Sequence, residues 1–238
     1  MTRVLRQGVW IVAFPLLAIA CRAALPVQHE ASVRPGINDE YKKQSVDTWV
    51  ERFESESREI YQHRGEIVDA VGPRPGMAIA DVGAGTGFFT RMFAERVGPS
   101  GRVYAVDILP EFIEHIASRA KEHGLSQVTP VLCKEDSVEL PTNSVDLVFM
   151  SDTYHHFEYP KSTLASIRRA LRPGGEMVVI DFERIEGKSR QWVLDHVRAG
   201  EEVVVAEITG AGFERVPGSS EKPFLQENYF LRFRKKGE

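Results

Sequence analysis

The segment Asp81-Val82-Gly83-Ala84-Gly85-Thr86-Gly87 constrains this chain more than any other. It joins an apolar run at 77–82, which reads as a strand, to an amphipathic stretch at 88–97, which reads as a helix. Glycines crowded into a strand-to-helix turn permit positive φ and let a ligand approach the backbone closely. The following helix start offers unpaired N–H groups and a positive dipole end. Such a turn suits a nucleotide-like ligand.

The same alternation continues downstream. Apolar runs at 103–106, 128–133, 145–150 and 176–181 read as strands, and 110–123 and 161–171 read as helices. Continuous apolar strands separated by helices predict a parallel sheet buried on both faces, with right-handed crossovers. A helical stretch at 189–211 and strands near 213–216 and 229–234 close the chain. The predicted fold is α/β, a doubly wound, mostly parallel seven-stranded sheet. Ahead of it, 45–71 carries apolar residues in steps of three and four, predicting one long or two short amphipathic helices that Gly72-Pro73-Arg74-Pro75-Gly76 stops.

With 238 residues, 42% hydrophobic and 27% charged, the chain suits one ordinary domain with a short appendage. The formal charge of −4 gives no electrostatic case for a nucleic-acid partner. Two cysteines exclude a disulfide framework and a cysteine-based zinc cluster.

The appendage is amino-terminal. Arg3 and Arg6 precede an uncharged apolar run at 9–20, too short for a comfortable membrane span and ending Ala18-Ile19-Ala20. This predicts a signal peptide over 1–20 and an exported, periplasmic or lipid-anchored protein. Leu17-Ala18-Ile19-Ala20-Cys21 resembles a bacterial lipobox, which makes Cys21 the expected anchor to a membrane; Ala18 stands where such boxes favour Leu. Residues 21–40, with Pro26, Pro35 and Gly36, read as a flexible tether, leaving 41–238 as the folded domain.

The glycine spacing discriminates among ligands. A dinucleotide fingerprint is G-x-G-x-x-G, and here the third glycine falls one position early, with Phe88 at the usual place. This argues against a nicotinamide oxidoreductase. Asp81, two residues ahead of Gly83, repels a pyrophosphate and attracts an ammonium group, which points to a ligand with an amino-acid end.

These residues resemble the first motif of the class I S-adenosylmethionine-dependent methyltransferases, acidic-x-Gly-x-Gly-x-Gly. Three further places agree. Asp107 ends the second strand, where an acidic side chain takes ribose hydroxyls. Glu135-Asp136-Ser137 with Leu140-Pro141 resembles the segment whose Asp faces the adenine amine, and 168–175 resembles the helix and turn before the fifth strand. The resemblance spans about residues 65–215 and implies S-adenosylmethionine as cofactor, contacted by Asp81, Gly83, Ala84, Gly85, Gly87, Asp107, Ile108, Asp136, Ser137 and Asp152. It implies methyl transfer to a small molecule. A domain that holds the cofactor or its demethylated product without turnover is the alternative, and aminopropyl transfer lacks an acidic polyamine groove. Quinone and sterol methyltransferases are similar in these motifs, which concern the cofactor and leave the acceptor and the oligomeric state unread.

Candidates for catalysis follow the fourth strand. His155 or His156 suits a general base, and Tyr154 suits a place beside the sulfonium. Asp152 and Asp181 lie where catechol-type relatives hold Mg²⁺, but Phe182 replaces the Asn those enzymes use, so no metal is expected. Arg184, His196 and Arg198 are candidates for an anionic substrate, and Tyr41, Trp49, Tyr61 and Arg64 for a lid. Cys133, in a predicted strand, reads as buried and inert.

Overall fold

A computed structural model describes residues 30–55, 58–218, 222 and 224–237. The expected signal peptide and Cys21 lie outside the described residues. Among the described residues, no helix is long and apolar enough to cross a membrane.

Helices α1 (Val46–Phe53), α2 (Glu59–Gln62) and α3 (Arg64–Val71) lead into β1 (Ala78–Val82), α4 (Phe88–Val97), β2 (Arg102–Asp107), α5 (Pro110–Glu122) and β3 (Val128–Leu132). Then come β4 (Val145–Ser151), α6 (Pro160–Ala170), β5 (Leu171–Phe182), α7 (Gln191–His196), α8 (Glu201–Gly210), β6 (Phe213–Arg215) and β7 (Asn228–Lys235). The seven-stranded sheet has the order β3-β2-β1-β4-β5-β7-β6. β7 runs antiparallel to both β5 and β6, and the remaining pairs are parallel.

Strand alternation explains the two covered faces. Val148 and Met150 of β4 join Leu164 and Ile167 of α6 and Val204 and Ile208 of α8. Leu147 and Phe149 turn the other way, onto Phe89 and Phe93 of α4 and Ile67 and Val68 of α3. The strand order switches sides at β1, with β2 on one side of it and β4 on the other, all parallel, so the carboxyl ends of β1, β2 and β4 open onto one crevice.

Three local expectations change. The amino-terminal helical region breaks into short pieces, and the 189–211 stretch divides at 197–200. There Gly200 caps α8, while Arg198 turns inward to Glu207 at 3.0 and 2.7 Å. The expected tether is shortened, because residues 30–40 lie against the domain. Glu158 accepts the Ser32 hydroxyl at 2.6 Å and the Gly36 N–H at 3.1 Å, and Glu30 accepts the Lys161 and Ser162 amides at 3.0 and 2.7 Å.

Candidate functional site

At the carboxyl ends of the parallel strands lies a cavity of about 610 Å³, within the range of small-molecule sites. Its floor is the glycine loop from Gly83 to Thr86, whereas Gly87, expected to touch the cofactor, is off the lining and packs toward Ile116. Gly83, Gly85 and Gly87 have φ of 71°, 53° and 77°, and the Gly83 and Ala84 amides donate to Val106 O at 2.8 and 3.1 Å, wrapping the loop onto β2. A Cβ on Gly83 would fall 2.2 Å from Thr153 Cγ2, and one on Gly85 3.4 Å from Phe53 Cε2. At Gly83 the turn demands glycine for space as well as φ, and at Gly85 for φ.

Two buried carboxylates flank the loop. Asp81 Oδ2 accepts the Thr90 hydroxyl at 2.6 Å, and burial pushes this acid up to about 7. Asp107 accepts the Gly85 amide at 2.9 Å and the Leu109 amide at 3.0 Å, and burial raises its pKa too. Each retains acceptor capacity for a ligand, since a carboxylate has about four lone-pair positions. Ile108 also lines the cavity.

The adenine-side expectation is corrected in part. Cys133, Lys134, Glu135 and Val138 line the cavity, whereas Asp136 and Ser137 do not. Lys134 and Ser137 pair as an antiparallel bridge, so the chain turns at Glu135 and Asp136, which leaves Asp136 exposed and Glu135 on the wall. Cys133 faces the cavity instead of packing inside a strand, and burial holds its thiol up at about 12, hence protonated.

Asp152 lines the cavity at the end of β4 with φ of 48°. Arg58 donates to its Oδ2, and Asn228 Nδ2 donates to its Oδ1 at 2.7 Å. Burial raises this acid to about 6 even so. Neither Arg58 nor Asn228 carries a sequence signal, because they lie 94 and 76 residues from Asp152.

Among the catalytic candidates, His155 and His156 reach the cavity and Tyr154 does not. Tyr154 is fully buried, its hydroxyl donates to Glu207 at 2.9 Å, and Arg198 stands over its ring. The short 3₁₀ turn at Tyr154–His156 points successive side chains in different directions, so Tyr154 enters the core. His155 Nδ1 lies 2.7 Å from Asp181 Oδ1, and its amide donates to Asp181 Oδ2 at 3.0 Å. The last residue of α7 is His196, whose Nε2 is 3.4 Å from His156 Nε2. Burial lowers His196 to about 4 and holds His156 well below the ordinary imidazole range.

Arg184 and Arg198 do not line the cavity; they bond to Leu194 O and Glu207 respectively. Of the lid candidates, Tyr41 and Trp49 line the cavity, stacked with ring centres 4.4 Å apart, and Tyr61 and Arg64 stand outside its wall. Phe53 continues the aromatic roof, 5.1 Å from Trp49. The amphipathic pattern of α1 is the signal that could have located it.

The residues fit S-adenosylmethionine. Gly85 presents a bare backbone beneath the Phe53 ring, one buried acid, Asp81, precedes the loop, and a second, Asp107, holds its middle. They are placed to receive an ammonium group and sugar hydroxyls.

Comparison with known proteins agrees. Residues 73–232 match the family described as Methyltransferase domain. The ubiquinone/menaquinone biosynthesis C-methyltransferase UbiE of Cupriavidus taiwanensis is 33% identical over 115 residues, which are 48% of this chain and 46% of that protein. Its namesake from Burkholderia vietnamiensis is 34% identical over 113 residues, 47% and 46% of the two chains. The matched stretch thus spans about half the length of these curated relatives. In fold, a SAM-dependent methyltransferase from Aquifex aeolicus superposes with a TM-score of 0.69 at 24% identity, covering 81% of this chain and 99% of that one. Glycine loop, flanking acids, strand order and family match coincide in one molecule: the chain belongs to the Methyltransferase domain family.

Proposed function

We propose that this protein transfers a methyl group from S-adenosylmethionine to a small, largely apolar acceptor. One observation carries the reading. Asp81 and Asp107 are buried on either side of a glycine loop whose backbone faces the cavity.

Bound S-adenosylmethionine supplies a methyl carbon made electrophilic by its sulfonium. Asp81 receives the amino group, Asp107 grips the sugar hydroxyls, and Glu135 lies toward the base. Tyr41, Trp49 and Phe53 shield the reacting atoms from water, and the histidine wall receives the acceptor. The aromatic lining, which also includes Phe112, Phe157, Phe182 and Trp192, suits a planar acceptor. The quinone ring named in its UbiE relatives is such a group, and a quinol-type ring is the acceptor class we favour.

The test is incubation with methyl-labelled cofactor and a quinol-containing lipid extract, alongside calorimetry with S-adenosylhomocysteine. Label in an extractable product is expected. Calorimetric silence overturns the reading, and binding without transfer to any acceptor favours a holding module. The proposal extends to the compartment. Residues 1–20 direct export and Cys21 carries a lipid, so fractionation of the native host should find the mature chain in the envelope and not in the cytosol.

A further inference from the structure

We propose that His155, His156 and His196 form a binding site for a divalent transition-metal ion on the cavity wall. One ring nitrogen from each lies within 4.8 Å of the others. Nε2 of His156 and Nε2 of His196 are 3.4 Å apart. A tetrahedral shell with metal–nitrogen bonds of about 2.0–2.1 Å has edges of roughly 3.3–3.4 Å, so one edge is already in place. Drawing the widest pair together by at most about 1.4 Å completes the face, a movement within the reach of side-chain torsions.

The surroundings prepare these rings as ligands. Asp181, 1% exposed, lies against His155 Nδ1 at 2.7 Å and also accepts the His155 and Phe182 amides at 3.0 and 2.8 Å. A carboxylate fixed in this way holds the Nδ1–H tautomer and leaves the Nε2 lone pair free. Metal-ligating histidines are oriented by the same arrangement. Trp192 stacks on His196 with ring centres 4.9 Å apart, and Tyr41 meets His156 edge-on at 4.7 Å, so both rings are held from behind. His156 has the least satisfied ring. Its Nδ1 is buried with no hydrogen-bond partner among the described residues, and its Nε2 faces another imidazole at a separation longer than a good hydrogen bond.

The donor set selects the ion. Three imidazoles suit Zn²⁺, Co²⁺, Ni²⁺ or Fe²⁺ and do not suit Mg²⁺ or Ca²⁺, which require oxygen. All three residues line the cavity, so the remaining coordination positions face the acceptor space. They would recognise an acceptor through a hydroxyl or enolic oxygen. That last role rests on the methyl-transfer reading; the metal site does not.

The experiment uses the full chain, stripped with chelator, without cofactor, titrated with Zn²⁺ and separately with Co²⁺. One ion per chain is expected, with the visible absorption of a nitrogen-bound, low-coordinate Co²⁺. His156→Gln and His196→Gln should each weaken binding at least about 100-fold, and Asp181→Asn about 10- to 100-fold. Cys133→Ser should leave it unchanged. Circular dichroism and thermal unfolding of each metal-free variant establish that it folds. Absence of binding at micromolar metal overturns the proposal, as does binding that survives in a folded His156→Gln or His196→Gln protein. Metal binding without methyl transfer would leave the site standing and count against the activity alone.

Discussion

The backbone amide of Gly85 donates to the carboxylate of Asp107 across 2.9 Å, joining the middle of the glycine loop to the end of β2. One acidic side chain thus shapes the loop and faces the cavity. The Leu109 amide at 3.0 Å holds its other oxygen, so the group is set before anything binds.

Asp107→Asn follows from that double duty. The amide has one acceptor oxygen where the carboxylate has two, so either Gly85 or Leu109 meets an NH₂ group instead. Calorimetry should show S-adenosylhomocysteine binding weakened about 10- to 100-fold, the worth of one or two charge-assisted hydrogen bonds. Undiminished affinity would remove Asp107 from the site.

Asp81 should impose a pH dependence. Its pKa is raised by burial to about 7, whereas a carboxylate in the unfolded chain titrates near ~3.9. Between those values the ligand-free folded protein retains a proton that the unfolded chain gives up, so this group's contribution to stability declines as pH rises from about 4 to 7. An incoming ammonium group favours the ionised form. Binding at pH 6 should therefore release up to about one proton, and affinity should climb toward pH 7. Calorimetry in buffers of different ionisation enthalpy reads the proton directly, and Asp81→Asn should abolish it.

Gly83 and Gly98 form a matched pair. Both have positive φ, 71° and 66°, but a Cβ on Gly98 meets nothing within 4 Å, whereas one on Gly83 would strike Thr153 at 2.2 Å. Gly98→Ala should cost about 1–3 kcal/mol for backbone conformation alone, since φ of 66° with ψ of −174° is a combination essentially reserved to glycine. Gly83→Ala should cost a further ~1–3 kcal/mol for overpacking, and it should also impair cofactor binding. Chemical denaturation of both variants tests the difference.

Tyr154→Phe should separate structure from chemistry. The hydroxyl bonds to Glu207, and Arg198 keeps Glu207 paired after its removal. A loss of about 1 kcal/mol in unfolding free energy is expected, with S-adenosylhomocysteine affinity unchanged. A large fall in affinity without loss of stability would return Tyr154 to the site.

The strand–loop–helix around Gly83 to Gly87 and the acid at Asp107 were legible because adjacency along the chain and the periods of strand and helix determine them. The same holds for the sheet class. Other features depend on contacts that no local pattern encodes. His196, at the end of α7, meets His156 across 40 residues of chain, and a stretch whose composition reads as continuous helix stops just after it. Asp152 acquires Arg58 and Asn228 from opposite ends of the chain. Asp136 had the expected identity and position, but a tight bridge between Lys134 and Ser137 turned it outward.

The aromatic roof is sewn to both rims of the cavity. Asn38 donates to His156 O at 3.2 Å, Glu54 accepts the Thr86 hydroxyl at 2.9 Å, and Glu59 accepts the Glu227 and Asn228 amides at 3.0 and 3.1 Å. A ceiling fastened along several edges opens only when those polar contacts let go together. Molecules therefore pass in and out at the tempo of a cooperative local unfastening, and raised ionic strength or modest heat should quicken exchange well before the sheet loosens.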